Sequence, residues 1–230
     1  INYKMKKIIA ASFLIALSAI VLSFTIADSF EGSVTYSISF EGSGLPPEAI
    51  AMFKGSEAIT YIKGDKRRID MNMTMQSTIS ISDAKAKSVS TYMDIMGMKY
   101  LIKMTEADLK KEEATAPETK IKYTDETKEV AGYKCKKAEV TIKTKEGKEE
   151  TLNVFYTEEI PTSDVKSVYK GLKGFPLEYV INQKGMKMQF TATKVSKETI
   201  PDSKFEISKE GYTETTMDEL QKAMMKMGGK

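Results

Sequence analysis

The chain of 230 residues has no histidine and no tryptophan, one cysteine, Cys135, and two arginines, Arg67 and Arg68. Each scarcity excludes something. Without imidazole there is no Ser-His-Asp or Cys-His nucleophile pair, no HExxH zinc motif and no site that needs a histidine ligand. One cysteine allows no intrachain disulfide, so the fold must rest on an apolar core. With two adjacent arginines, bidentate recognition of an anion has one place in the sequence. Carboxylates are plentiful but badly spaced for paired acid and base work. Glu149-Glu150 and Glu158-Glu159 are neighbours, so a strand sends the members of each pair to opposite faces. No catalytic set, no metal site and no cofactor is implied, and the chain is expected not to be an enzyme.

Charge is uneven along the sequence. Lys4, Lys6 and Lys7 flank Met5, and no charge follows from Ile8 to Ala27. A basic start before an apolar run is the pattern of a secretory signal, with translation expected from Met5 and cleavage after Ala27. The run is also long enough to cross a bilayer. The competing expectation is therefore an uncleaved anchor, lysines inside and domain outside. The run does not end in a cysteine, since the one cysteine is Cys135, which argues against a lipid-anchored lipoprotein. Residues 28–230 are thus expected as one periplasmic or secreted domain. Of the 35 basic residues 32 lie in that part, against 32 acidic ones. The excess of +3 belongs to the leader, so nothing suggests nucleic acid. A membrane is a partner only if the leader is retained.

What is abundant is alternation. Val34, Tyr36, Ile38 and Phe40 alternate with polar residues, as do Ile69, Met71, Met73 and Met75, and the run continues with Ile79 and Ile81. Val89, Thr91 and Met93 follow, then Met98, Tyr100, Ile102 and Met104 beyond the Gly97 turn. Phe175, Leu177, Tyr179 and Ile181 form a later set, and Met186, Met188, Phe190 and Ala192 another. A period of two predicts strands with one wet and one buried face, hence an antiparallel sheet. About ten of them in one domain must curl around a shared interior or be covered by helices. Helices are expected from Thr105 to about Glu113, at Ser163–Tyr169, and at about 216–227, where Thr216 and Glu219 make a capping box. Gly42 to Gly55, with Leu45-Pro46-Pro47, reads as a loop or short helical plug.

Methionine is the compositional oddity, at 15 residues. Met71, Met73 and Met75 share a strand face. Three readings of such a cluster differ in chemistry: a soft core, a pliable lining for an apolar ligand such as an acyl chain, or a thioether site for Cu(I). The residues expected to line an interior are Met71, Met73, Met75, Met98, Tyr100 and Phe190. Arg67 or Arg68 could contact an anionic head group, or merely pair with Asp65 or Asp70. Cys135 stands among Lys134, Lys136 and Lys137, which would favour a reactive thiolate if the sulfur were exposed; a small structural residue is the plainer alternative.

The order of several short segments resembles that of a family of exported bacterial proteins of unknown function. These are Tyr61-Ile62-Lys63-Gly64-Asp65-Lys66-Arg67, Asp94-Ile95-Met96-Gly97-Met98-Lys99 and Ala131-Gly132-Tyr133-Lys134-Cys135-Lys136-Lys137-Ala138. Val154-Phe155-Tyr156-Thr157, Gly174-Phe175-Pro176-Leu177-Glu178-Tyr179 and Asp202-Ser203-Lys204-Phe205-Glu206-Ile207 continue the series, to about Leu220. That family is similar in layout to the periplasmic lipoprotein carriers. The resemblance implies a strongly curved antiparallel sheet or half-barrel, mainly β with a few helices, the helices covering the concave face. It carries over no catalytic residue. The leading expectation is an exported, non-catalytic binding module for a lipid, acyl chain or other apolar ligand, with the Leu45 loop and C-terminal helix as covers. A structural or interaction domain with a packed interior and an envelope-protein partner is the alternative, and a Met/Cys copper or redox protein the third.

Overall fold

The computed structural model describes residues 30–40, 47–74, 76–143, 147–161, 169, 171–183 and 186–228. The leader, Leu45, Met75 and all but Tyr169 of the helix expected at 163–169 lie outside the described residues.

Alternation is realised as strands throughout. The first run is β1 (Gly32–Ser39), β2 (Glu57–Lys63), β3 (Lys66–Met73), β4 (Gln76–Asp83), β5 (Ser88–Ile95) and β6 (Met98–Met104). The second is β7 (Thr119–Val130), β8 (Tyr133–Lys143), β9 (Glu149–Thr157), β10 (Phe175–Gln183) and β11 (Met186–Lys197), with a short β12 (Thr213–Glu214). Helices α1 (Pro47–Met52), α2 (Glu106–Thr115) and α3 (Met217–Gly228) are brief interruptions. The Thr105 box caps α2, and Thr216 and Glu219 cap α3 as the sequence predicts. Two tight turns show why the hairpins close. Met96 and Gly97 have φ of 53° and 86°, and Ala131 and Gly132 have 51° and 83°. Paired positive φ values are those of two-residue turns whose twist matches the flanking strands.

Among the described residues all twelve strands make one sheet, in the order β12-β6-β5-β4-β3-β2-β1-β11-β10-β9-β8-β7. The pairings are antiparallel except that of β12 with β6. The sheet does not close: β12 and β7 are its edges. Each run is a meander of neighbours, and among the described residues the strand pairing that joins them is β1 with β11.

Register defines the two faces. Tyr36 stands beside Ala58, then Met71, Thr78, Met93 and Tyr100, strand by strand. We name this the inner face, because the sheet curls toward it. Arg67 on β3 lies 5.4 Å from the ring of Phe175 on β10, although β2, β1 and β11 intervene. On a flat sheet those strands would be roughly 19 Å apart. Tyr36, Ile62, Val140, Val154, Leu177, Tyr179 and Phe190 are buried in the core cluster on the inside of the curl. From α1, Ile50 packs against that cluster, and Phe53 just beyond it stacks on Phe40 at 4.5 Å.

The C-terminal segment occupies the opposite, outer face of the first run. Tyr92 meets Tyr212 edge-on at 5.2 Å, and Lys204 lies 4.0 Å over the Tyr61 ring. The Thr215 N–H donates to the Leu101 carbonyl at 3.0 Å. This cover explains a phase change. Ile79 and Ile81, which continue the methionine alternation in sequence, fall on the outer face with Tyr92 and Leu101. The inner side of β4 is Gln76, Thr78 and Ser80 instead.

Candidate functional site

The inner face is unequal along its width. Where the second run curls over it, side chains are sealed: Tyr36, Leu177 and Phe190 are all buried. From β3 to β6 the face is only partly covered: Val89 and Ile102 are buried, whereas Arg67, Ile69, Met71, Met73, Met93, Met98 and Tyr100 are half-buried or exposed. Arg67, Ile69, Met71 and Met73 form a file along β3, each two residues from the next, so their side chains share that face. The neighbouring row runs from Met73 through Gln76 and Ile95 to Met98. Ile69 is 39% exposed and Met98 38%, and the hairpin tip beside Met98 carries Met96 at 74%. Large apolar side chains left this open on one sheet face are the kind of patch that marks a binding surface.

Five of the six residues expected as a lining therefore share one face: Met71, Met73, Met98, Tyr100 and Phe190. Phe190 belongs to the sealed part, stacked on Tyr179 at 4.9 Å. Met71 and Met73 pack against that same cluster, so the open file is continuous with the core. Met75 lies outside the described residues. The Tyr100 hydroxyl is 3.7 Å from the Met98 sulfur.

The two arginines, adjacent in sequence, point to opposite faces. Arg68 is on the outer face and its fork is engaged: Nε lies 2.5 Å from Asp70 Oδ1 and an Nη 3.0 Å from Oδ2, and the other Nη donates to the Lys204 carbonyl at 2.8 Å. It fastens the C-terminal segment to β3 and is not available as an anion contact. Arg67 is on the inner face. It donates to the Pro161 carbonyl and lies against the Phe175 ring. Burial pushes its guanidinium down to about 10, and the Tyr36 hydroxyl opposes that shift, so it is cationic at neutral pH.

Cys135 is 0% exposed. It lies on β8 opposite Lys128 in register, and its thiol is 3.6 Å from the Tyr133 carbonyl. Burial pushes the thiol up to about 11, against a smaller opposing effect of a backbone hydrogen bond. The nearby lysines are engaged elsewhere: Lys136 with Glu158 at 2.9 Å and Lys137 with Glu126 at 2.7 Å. No thiolate is favoured here: Cys135 is a small buried member of the same core cluster against which Met71 and Met73 pack. Among the described residues no three of Cys, Asp and Glu come together as a metal site.

Alternation alone did not single out a tyrosine cluster beneath the file. Tyr36, Tyr169 and Tyr179 meet edge-on, with centroids 5.7 Å and 6.4 Å from Tyr179. Burial raises the hydroxyl pKa of all three. The sequence signal was there in Tyr36 and Tyr179, each on a buried strand phase, but their meeting depends on the β1–β11 pairing.

A family model described as "N-glycanase peptide, N-terminal domain" matches residues 35–221. A solved structure of PNGF-II in space group P21 is similar at TM-score 0.53 and 20% identity, over 86% of this chain and 34% of that one. A second PNGF-II structure, in space group C2, gives TM-score 0.49 and 21% identity over 85% and 32%. A crystal structure of MucB gives 0.33 and 13% over 79% and 58%. No curated protein matches. The chain thus spans about a third of the length of the PNGF-II chains, and the first likeness is one of fold. The matched span coincides with the stretch over which the sequence motifs run. The matches do not single out the lipoprotein carriers. This chain belongs to the N-glycanase N-terminal domain family.

Proposed function

We propose that the chain is an exported, non-catalytic module that holds an apolar ligand on the inner face of its sheet. The observation that carries this is the half-open file Ile69, Met71 and Met73, flanked by Met93, Met98 and Tyr100, in register on one face of an unclosed sheet. Burying a methionine or isoleucine side chain is worth about 1.5–3 kcal/mol, so several of them left half-open give a ligand a strong incentive. Methionine adapts to irregular shapes, which suits a lining that must admit a chain. Lack of histidine and of convergent carboxylates supports a binding rather than a catalytic role. The uncharged run Ile8–Ala27 supports export.

Native mass spectrometry of protein purified without detergent tests the reading. Adducts of apolar mass that are displaced by an acyl-chain probe are expected. A protein that carries none and ignores such probes would defeat it.

A second reading is favoured by the family match: an interaction domain that works beside a larger neighbour. The matching model is described as an N-terminal domain, and the chain covers 34% of a PNGF-II chain. Here the exposed Met96 tip and the open file would meet protein instead of a small molecule. Cross-linking from a photoreactive residue at position 96 separates the two, since it captures a protein in one case and none in the other.

A further inference from the structure

Met98 opens β6 on the inner face, directly after the Met96-Gly97 turn. Tyr100 follows two residues on, so the two side chains share that face. Tyr100 is held between strand neighbours, opposite Met93 on β5 and Thr213 on β12. Its hydroxyl donates to the Met98 sulfur at 3.7 Å. A thioether is a weak acceptor, and at this exposed position water would serve the hydroxyl better. Fold stability therefore does not explain the contact, whereas sulfur chemistry does.

The hydroxyl makes the two lone pairs of the sulfur unequal. One faces the Tyr100 proton, and the other is open to solvent on a residue 38% exposed. When the open lone pair attacks hydrogen peroxide, an S–O bond forms and the O–O bond breaks. Sulfur gives up two electrons, and the proton left on the new oxygen passes to the departing hydroxide to make water. The product is polar and chiral at sulfur. Its oxygen is a much stronger acceptor than the thioether, and rotation about the Cγ–Sδ bond brings it within reach of the same hydroxyl. Met98 ends the row that runs from Met73 through Gln76 and Ile95. A sulfoxide there sets a strong dipole on the half-open apolar face, while the core methionine Met188, 5% exposed, is shielded from the same oxidant.

We propose that Met98 is an oxidation site. Peroxide converts it mainly to one sulfoxide epimer, Tyr100 holds that epimer, and the open end of the inner face turns from apolar to polar. The modification stands on the Met98–Tyr100 geometry alone; its effect on ligand uptake rests on the binding-module reading.

The test treats the full chain with hydrogen peroxide at doses that leave Met188 intact and maps sulfoxides by peptide mass spectrometry. The two classes of methionine sulfoxide reductase, each run with dithiothreitol as the reducing dithiol, remove one epimer apiece. Met98 should show an excess of one epimer of roughly threefold or more, the worth of a modest hydrogen bond. Met96, bare to solvent at 74%, should give near-equal epimers. Tyr100→Phe keeps the ring and should bring Met98 to the Met96 ratio. Equal epimers at Met98 in the wild type, or a bias that Tyr100→Phe leaves in place, would overturn the assignment. Nile red, an uncharged apolar dye, reads the consequence: peroxide should remove a larger fraction of its uptake in the wild type than in Met98→Leu. Equal fractional losses would overturn the switch and leave the epimer assignment standing. A native protein that never takes up the dye would remove the switch together with the module reading, and the epimer bias would stand alone.

Discussion

Met96 sits at φ 53° on a hairpin tip with 74% of its surface exposed. An L-residue there is strained by about 1 kcal/mol, and the exposed side chain returns nothing to the fold. The turn itself is well made, since Asp94 Oδ1 accepts from the Gly97 N–H at 2.8 Å. Asparagine is the residue that paired positive φ values favour. Met96→Asn should raise stability by about 0.5–1 kcal/mol, read as a shift in denaturant midpoint without a change in slope. A fall in stability would mean that Met96 packs in a way its exposure hides. If the tip serves binding, the same substitution weakens ligand or partner uptake while the fold gains. The arginines show what sequence can and cannot tell at this scale. Alternation predicts that Arg67 and Arg68 face opposite ways. It also puts Arg68 on the face of Asp70, two residues on, whereas the meeting of Arg68 with Lys204 depends on where residues 202–215 lie, and no local pattern encodes that.

At the scale of elements, α2 is a helix held by charge more than by packing. None of its residues is buried. Glu106 contacts Lys110 at 2.8 Å and Lys87 at 2.9 Å, and these two lysines, Lys110 first, hold its carboxyl down to about 2. Asp108 is lowered by hydrogen bonds from Thr105. Both folded-state pKa values lie below those of an unfolded chain, so their contribution is present above the ordinary carboxylate range and is lost as pH falls through the folded values. The amides of α2 should therefore stay protected at pH 5 and lose protection as pH drops from about 4 toward 2, before the sheet yields. Carboxyl 13C titration of Glu106 by NMR checks this; a midpoint near 4.5 would contradict it. The elements were also the most legible level. Period-two runs gave the strands, and capping boxes gave the starts of α2 and α3. What misled was continuity across a turn. Met71, Met73, Ile79 and Ile81 look like one phase, yet the β3–β4 hairpin sends the isoleucines outward, where Tyr92 and the C-terminal segment bury with them. Apolar residues on both faces of one strand run cannot be sorted by periodicity alone. The candidate site was legible as a set of residues on one face, and its tyrosine floor was not, because that needs the order of non-adjacent strands.

For the molecule as a whole the decisive joint is β1 against β11. Gly32 is at its end, with a carbonyl so near that a Cβ placed on Gly32 would lie 2.0 Å from the Ser196 oxygen. Gly32→Ala must force the two strands apart. Because Tyr36, Ile38 and Phe190 are buried across the same joint, the expected loss is about 2–3 kcal/mol in a single cooperative transition. A two-step unfolding curve, with the β1–β6 half outlasting the other, would show instead that the halves are stable apart. The same joint sets a timetable. Every other antiparallel pair in the sheet joins neighbours in the chain, so those hairpins can zip locally and fast. β1 pairs one flank with β2 nearby, whereas residues opposite each other on β1 and β11 are 150 to 165 positions apart in sequence. Closing so large a loop is the slow step in topologies of this kind. Synthesis delivers β1 first among the strands and β11 nearly last, so an apolar strand edge stays unpaired for most of the chain's emergence. A sheet built this way is most vulnerable to aggregation just before it is finished.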